Sequence, residues 1–260
     1  MEADPLRERS PRLFALFVLY LRWLFWRKFD AVRLSRTGLP AVPAGRPLII
    51  YSNHPSWWDP ALYILLCGLL FPGRAGFGPM DGEALTRYRL LRRMGVFGID
   101  LDSRRGAARF LSTSLRVLSD PSAILWITAE GRFTDPRLRP VRLRPGIAHL
   151  ARRIPDAVIL PLAIDYTFWN ESRPEALVRF GEPVQAGDDR SVAAWTAALE
   201  KALTATMDGL AAESGTRDPA LFQPVLQGAA GPGGIYDLIR RAASWSRGRR
   251  FDPRHEQRDA

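Results

Sequence analysis

Residues Tyr51–Pro60 read YSNHPSWWDP. An apolar run, Pro47–Ile50, precedes them, and another, Ala61–Leu70, follows. A strand that ends in a polar loop and leads into a helix produces this pattern. His54 and Asp59 lie five positions apart. On a continuous helix that spacing is a rotation of roughly 140°, so the two side chains need a loop or a helix start to meet. Pro55 suits such a place, because it cannot continue a strand ladder and is tolerated in a first helical turn. In a meeting geometry Asp59 accepts from the Nδ1–H of His54 and leaves Nε2 free to take a proton from a hydroxyl. The carboxylate then fixes the tautomer and stabilises the imidazolium. The alternative is that Asp59 only caps the following helix and His54 is a loop residue.

Outward from this stretch, apolar and β-branched runs predict strands at Val32–Leu34, Val96–Leu101, Ala123–Thr128, Ala157–Asp165 and Ala176–Phe180. Helices are predicted at Pro60–Leu70, Leu85–Met94, Ala107–Leu118, Gly146–Arg153 and Val192–Glu213, with Gly95 as a C-cap. Gly38–Arg46 and Phe71–Gly78 read as Gly/Pro loops. The alternation argues for a single α/β domain with a mostly parallel central sheet flanked by helices. We place this domain at 31–213, after an N-terminal helical segment at 1–30. A linker and basic tail follow at 214–260. In the tail, Gly228–Gly234 reads as a hinge and Ile235–Ser246 as a helix flanked by arginines. That tail is either a surface contact for a membrane or a solvated extension.

The charge narrows the partners. The 260 residues carry a net charge of +10, and all but two of the basic side chains are arginine. The balance favours an anionic partner: nucleic acid, an anionic membrane or a phosphate-bearing substrate. Leu13–Phe29, LFALFVLYLRWLFWRKF, separates these. Arg22 interrupts it, so it falls short of the roughly 20 apolar residues of a membrane span. It also lacks a small-residue cleavage site. Trp23, Trp26, Arg27 and Lys28 are residues of the membrane interface. The segment predicts an interfacial helix, with a buried core helix as the alternative. Nucleic-acid binding would use the charge but leaves this helix unexplained. The single cysteine, Cys67, sits in an apolar run and predicts a packed thiol.

Several chemistries lack their signatures. There is no G-x-S-x-G elbow for a serine hydrolase. Three scattered histidines and one cysteine do not make a zinc set. Neither Lys28 nor Lys201 follows a P-loop glycine.

Four ordered blocks carry a resemblance. They are Asn53-His54-x4-Asp59, Gly95-Val-Phe-Gly-Ile-Asp100, Glu130-Gly131 after an apolar strand, and Ile159-Leu-Pro161-Leu. Over roughly residues 13–213 the chain resembles the glycerolipid acyltransferases of the lysophosphatidate type. The resemblance implies transfer of a fatty acyl group from an acyl-CoA or acyl-carrier-protein thioester to a lipid hydroxyl. His54 would be the general base and Asp59 its partner, with no acyl-enzyme, cofactor or metal. Asn53, Glu130 and Gly131 would line the acceptor site, and Pro161 would shape its wall. The enzyme would work at the cytoplasmic face of an anionic membrane.

The chain departs from the family pattern where the acceptor is concerned. The second block has Leu101 in place of the usual arginine, and the third reads ITAEGRFTD, with Arg132 one residue early. Arg104, Arg105 and Arg132 can compensate as phosphate ligands. Otherwise the acceptor is a lysophospholipid with a head group, or a glycosylated or other polar lipid. Arg137, Arg139, Arg142 and Arg144 form a further basic stretch for lipid phosphates or a carrier protein. A catalytically silent membrane-surface protein is the non-enzymatic alternative.

Overall fold

The computed structural model describes residues 4–185 and 190–229. A short helix α1 (Pro5–Glu8) and the long α2 (Pro11–Lys28) open the chain. Then come β1 (Ala31–Ser35), β2 (Leu48–Ser52), α3 (Asp59–Leu70) and β3 (Ala75–Asp81). Helix α4 (Gly82–Arg87) runs into a 3₁₀ turn, Arg89–Met94, before β4 (Val96–Ile99). The central part continues through α5 (Arg104–Leu118), β5 (Ala123–Thr128), α6 (Gly146–Arg153) and β6 (Val158–Thr167). β7 (Glu175–Phe180), β8 (Val184–Gln185), α7 (Val192–Thr216) and β9 (Phe222–Gln227) follow.

The strands form one sheet in the order β4-β3-β5-β2-β6-β7-β1-β9, with β8 paired to β6. The first five are mutually parallel, which meets the expected class. Parallel strands are covered on both faces and so read as continuous apolar runs. β2 shows why. Leu48 and Ile50 face the layer holding α2 and α3, while Ile49 and Tyr51 face the layer holding α5, α6 and α7. One run of residues therefore feeds two cores.

The topology makes a crevice. β2 leaves through α3 to β3, on the far side of β5. β5 leaves through α6 to β6, on the far side of β2. Two adjacent strands thus send their connections in opposite directions. A ligand crevice lies at the carboxyl ends of such a pair.

Several elements differ from the sequence reading. The Phe71–Gly78 stretch contains the start of β3 rather than only a loop. The predicted helix at Leu85–Met94 breaks at Tyr88 into α4 and the 3₁₀ turn. It does stop at Gly95, whose φ of +96° is a left-handed cap. Helix α5 starts three residues early because Ser103 Oγ caps it, accepting from Gly106 N at 2.9 Å. The sheet continues past residue 213, since β9 pairs antiparallel with β1.

α2 is not an appendage on the domain. Phe14, Val18, Leu21 and Phe25 recur at helical spacing and are buried in the core shared with α3. Leu16, Leu19, Tyr20, Trp23 and Trp26 form an adjacent stripe, each about half exposed. One face of the helix lies in the core, as the alternative reading has it, and the other face is exposed. No helix among the described residues is long and apolar enough to cross a membrane. The predicted hinge beyond residue 229 and the helix Ile235–Ser246 lie outside the described residues.

Candidate active site

The site begins where β2 runs out of partners. Asn53 follows its last residue, and its side-chain amide donates to the carbonyl of Ile164 at 2.9 Å. The same amide accepts from the Ile164 N–H, also at 2.9 Å. Asn53 thereby imitates one more residue of sheet pairing. The next residue is His54. Its N–H donates to Glu130 Oε2 at 3.1 Å, and its carbonyl accepts from Thr134 N at 3.0 Å. Asn53 and Glu130 are both buried. Asn53 ties the end of β2 to Ile164 and Glu130 holds the His54 N–H; neither is among the residues lining the cavity beside His54. Burial pushes the Glu130 carboxyl upward, against the pull of the His54 N–H.

Asp59 is the first residue of α3 and is 0% exposed. His54 Nδ1–H donates to its Oδ2 at 2.6 Å. His54 lies in the loop before the helix, so the roughly 140° rotation that separates the pair on a helix does not apply. Asp59 also accepts from Ser56 N at 3.2 Å and from the Tyr166 hydroxyl at 2.8 Å. Burial pushes its carboxyl pKa up, and these donors together with His54 oppose that shift. The position at a helix N-terminus also favours negative charge. With Nδ1 engaged, Nε2 is the ring nitrogen left for a substrate hydroxyl. Phe133 lies over the imidazole, with 4.3 Å between ring centroids. Neither Tyr166 nor Phe133 carries a spacing signal in the sequence. Each reaches His54 or Asp59 through the fold.

His54 lines a cavity of about 950 Å³. That is near the upper end of the range for small-molecule sites, roughly 300–1,000 Å³. The walls are mostly apolar: Phe14, Leu21 and Leu24 of α2, Ile64 and Cys67 of α3, Phe77 of β3 and Trp126 of β5. Cys67 is the packed thiol expected, pushed up to about 11 by burial. Arg87, Arg89, Arg132 and Arg144 are the arginines of the lining.

The predicted ligands separate here. Gly131 and Arg132 line the cavity. Gly131 has a φ of +67°, and a Cβ there would lie 2.4 Å from Arg144 Nε. The arginine crosses that glycine and donates to the Leu101 carbonyl and to Asp102 Oδ1, the latter at 3.1 Å. A guanidinium therefore stands against Leu101, the position where the family pattern carries its own arginine. Arg104 and Arg105 are exposed on the first turn of α5 and are not among the residues lining the cavity. Pro161 is buried in β6 opposite Tyr51, packed towards Gly181. It shapes the sheet, not the cavity wall. Among the described residues no cluster of three or more His, Cys, Asp or Glu side chains could hold a metal ion.

A family model described as Acyltransferase matches residues 33–165, just over half of the chain. The chain belongs to the acyltransferase family. The matched span holds all four blocks, from His54 to Pro161. Comparison with curated proteins gave no match. Among solved structures, this acyltransferase is similar to the 1-acyl-sn-glycerophosphate (LPA) acyltransferase PlsC from Thermotoga maritima. The TM-score is 0.53 and the identity 17%, over 77% of this chain and 79% of that one. The likeness shows a shared α/β fold.

Proposed function

We propose that the protein transfers a fatty acyl group from an acyl-CoA or acyl-carrier-protein thioester to a hydroxyl of a glycerolipid acceptor. The observation that carries this reading is the 2.6 Å His54–Asp59 hydrogen bond on the wall of a large apolar cavity. His54 Nε2 takes the acceptor's hydroxyl proton as its oxygen attacks the thioester carbonyl. The tetrahedral intermediate collapses, the C–S bond breaks, and the imidazolium returns the proton to the thiolate. The ester and the free thiol leave together, with no group left on the enzyme. The apolar walls suit the acyl chain, at about 0.8 kcal/mol per buried methylene.

Arg132 and Arg144 favour a phosphate-bearing acceptor such as lysophosphatidate or a lysophospholipid. Leu101 favours a second reading, a neutral acceptor such as a glycosylated lipid. A catalytically silent lipid-binding protein is the third. One experiment separates them. Purified protein is given acyl-CoA or acyl-carrier protein with lysophosphatidate, a neutral lysolipid or a glycosylated lipid, and thiol release is measured. Acceptor-dependent release that falls at least about 10²-fold in His54→Ala supports the mechanism. Equal release by both proteins overturns it. Arg144→Gln should raise the KM for the phosphate acceptor alone; the same KM on both acceptors favours the neutral one.

The exposed stripe of α2 supports a peripheral place on the cytoplasmic face of an anionic membrane. Tyr20 belongs both to that stripe and to the cavity wall, so lipid can pass from the bilayer towards His54. Deleting α2 would open the core, so the test is Leu16→Ser with Leu19→Ser and Trp23→Ser. This variant should stay folded and lose its binding to anionic vesicles. Retained binding would assign the membrane contact elsewhere.

A further inference from the structure

β6 is ten residues long and its neighbour β2 only five. Leu162 of β6 lies opposite Ser52, the last residue of β2. Residues 163–167 therefore run on past the end of β2, over the His54 loop. Two contacts come from this overshoot. Ile164 receives the Asn53 amide, and Tyr166 donates its hydroxyl to Asp59 Oδ1 at 2.8 Å.

The second contact completes the carboxylate. Oδ2 is shared by His54 Nδ1–H and Ser56 N–H. Oδ1 faces Tyr166. Asp59 has no exposed surface, so solvent does not supply a replacement donor. The phenol is itself held in place. Its ring packs 5.9 Å from that of Phe29, which packs edge-on against Trp58, the residue before Asp59. A buried carboxylate with one oxygen unpaired is costly. It relieves the cost by turning its oxygens or by taking a proton, and either change spoils the hydrogen bond to His54.

We infer that Tyr166 is a positioning residue for acyl transfer: its hydroxyl holds Asp59 ionised and aligned on His54. Burial and the adjacent Asp59 charge keep the phenol protonated, so it acts as a donor. This inference rests on His54 serving as the base.

The test is Tyr166→Phe, which keeps the ring and removes only the donor. The kcat should fall about tenfold, with the KM of donor and acceptor within about twofold. The acid limb of kcat/KM should move up by about one pH unit, the shift that goes with a tenfold change in an equilibrium. The sign follows from the charge, since a carboxylate that has lost a donor binds a proton, alone or through His54, at higher pH. In the background of Asp59→Asn, Tyr166→Phe should have no further effect on kcat. A merely structural tyrosine would lower the Tm and leave the acid limb where it was. Tyr166→Phe with wild-type kcat and an unmoved acid limb overturns the inference. A second readout does not depend on turnover. The downfield proton resonance of the His54 Nδ1–H bonded to Asp59, assigned by its loss in His54→Ala, should move upfield or disappear in Tyr166→Phe. If the wild type transfers no acyl group, the proposed function fails while this resonance still decides the role of Tyr166. An unchanged resonance overturns it.

Discussion

Replacing Asp59 with asparagine isolates what the carboxylate does for His54. The side chain keeps its size in a site with no exposure. It can still present a carbonyl oxygen to the Nδ1–H and Ser56 N–H that Oδ2 now receives. What it loses is the charge that faces the imidazolium during proton transfer. Two unit charges about 4 Å apart interact by about 4 kcal/mol at an effective dielectric constant of 20. At about 1.36 kcal/mol per factor of ten, that is roughly a 10³-fold loss in kcat. The figure falls inside the 10²–10⁴-fold range of general base catalysis. Single-turnover thiol release from acyl-CoA, with saturating lysolipid, measures it without interference from product release. Thermal melting checks that the variant is folded. If folded Asp59→Asn retains a rate within about threefold of wild type while His54→Ala is inactive, the carboxylate does not stabilise the imidazolium and the argument fails.

Three further outcomes follow from other parts of the molecule. Gly76→Ala should shift the preference towards shorter acyl donors, because the new Cβ would lie 2.7 Å from Cys67 Sγ at the cavity wall; a donor chain-length series checks it. Gly131→Ala should cost about 1–2 kcal/mol through its left-handed backbone and push Arg144 aside. Melting curves read the first effect and the acceptor KM reads the second. Glu175, buried with Arg33 at 2.8 Å and pushed up to about 7 by burial, binds more protons folded than unfolded. Stability from this group therefore falls as pH rises from its unfolded value, about 4.3, through 7, and Glu175→Gln should flatten that part of a Tm–pH profile.

Much of the sheet was legible because β2, β5 and β6 are buried on both faces and must read as apolar runs. β3 was not legible. Its sequence, AGFGPMD, carries the punctuation of a loop, and it becomes a strand because β5 and β4 pair with it on either side. β9 hid for a related reason. Pro224 lies beside a register shift between Val32 and Arg33, as suits an edge strand. Of the candidate site, His54 and Asp59 were legible from their residue types and spacing. Gly131 and Arg132 were legible through the resemblance. Asn53 and Glu130 came in through the resemblance, and their bonds to Ile164 and to the His54 N–H depend on the fold, so no sequence pattern announces them. Pro161 was placed by its family position and the Arg104–Arg105 pair as a substitute for the arginine missing at Leu101, and only the register of β6 and the cap of α5 locate them. Tyr166 had no signal, since its contact with Asp59 depends on how far one strand outruns another.

The pairing of β9 with β1 bears on where the chain can be cut. At its far end, Gly228 N donates to the Asp30 carbonyl and Ala229 N to that of Trp26, both at 2.7 Å. The strand thus knots residue 229 to the end of α2. A chain shortened to residue 213 would keep both His54 and Asp59 and still expose one side of β1. The bared row of N–H and C=O groups would be an invitation to pair with another copy. Such a chain should clump where one ending at 229 stays dispersed, a difference light scattering would read within minutes of dilution from denaturant.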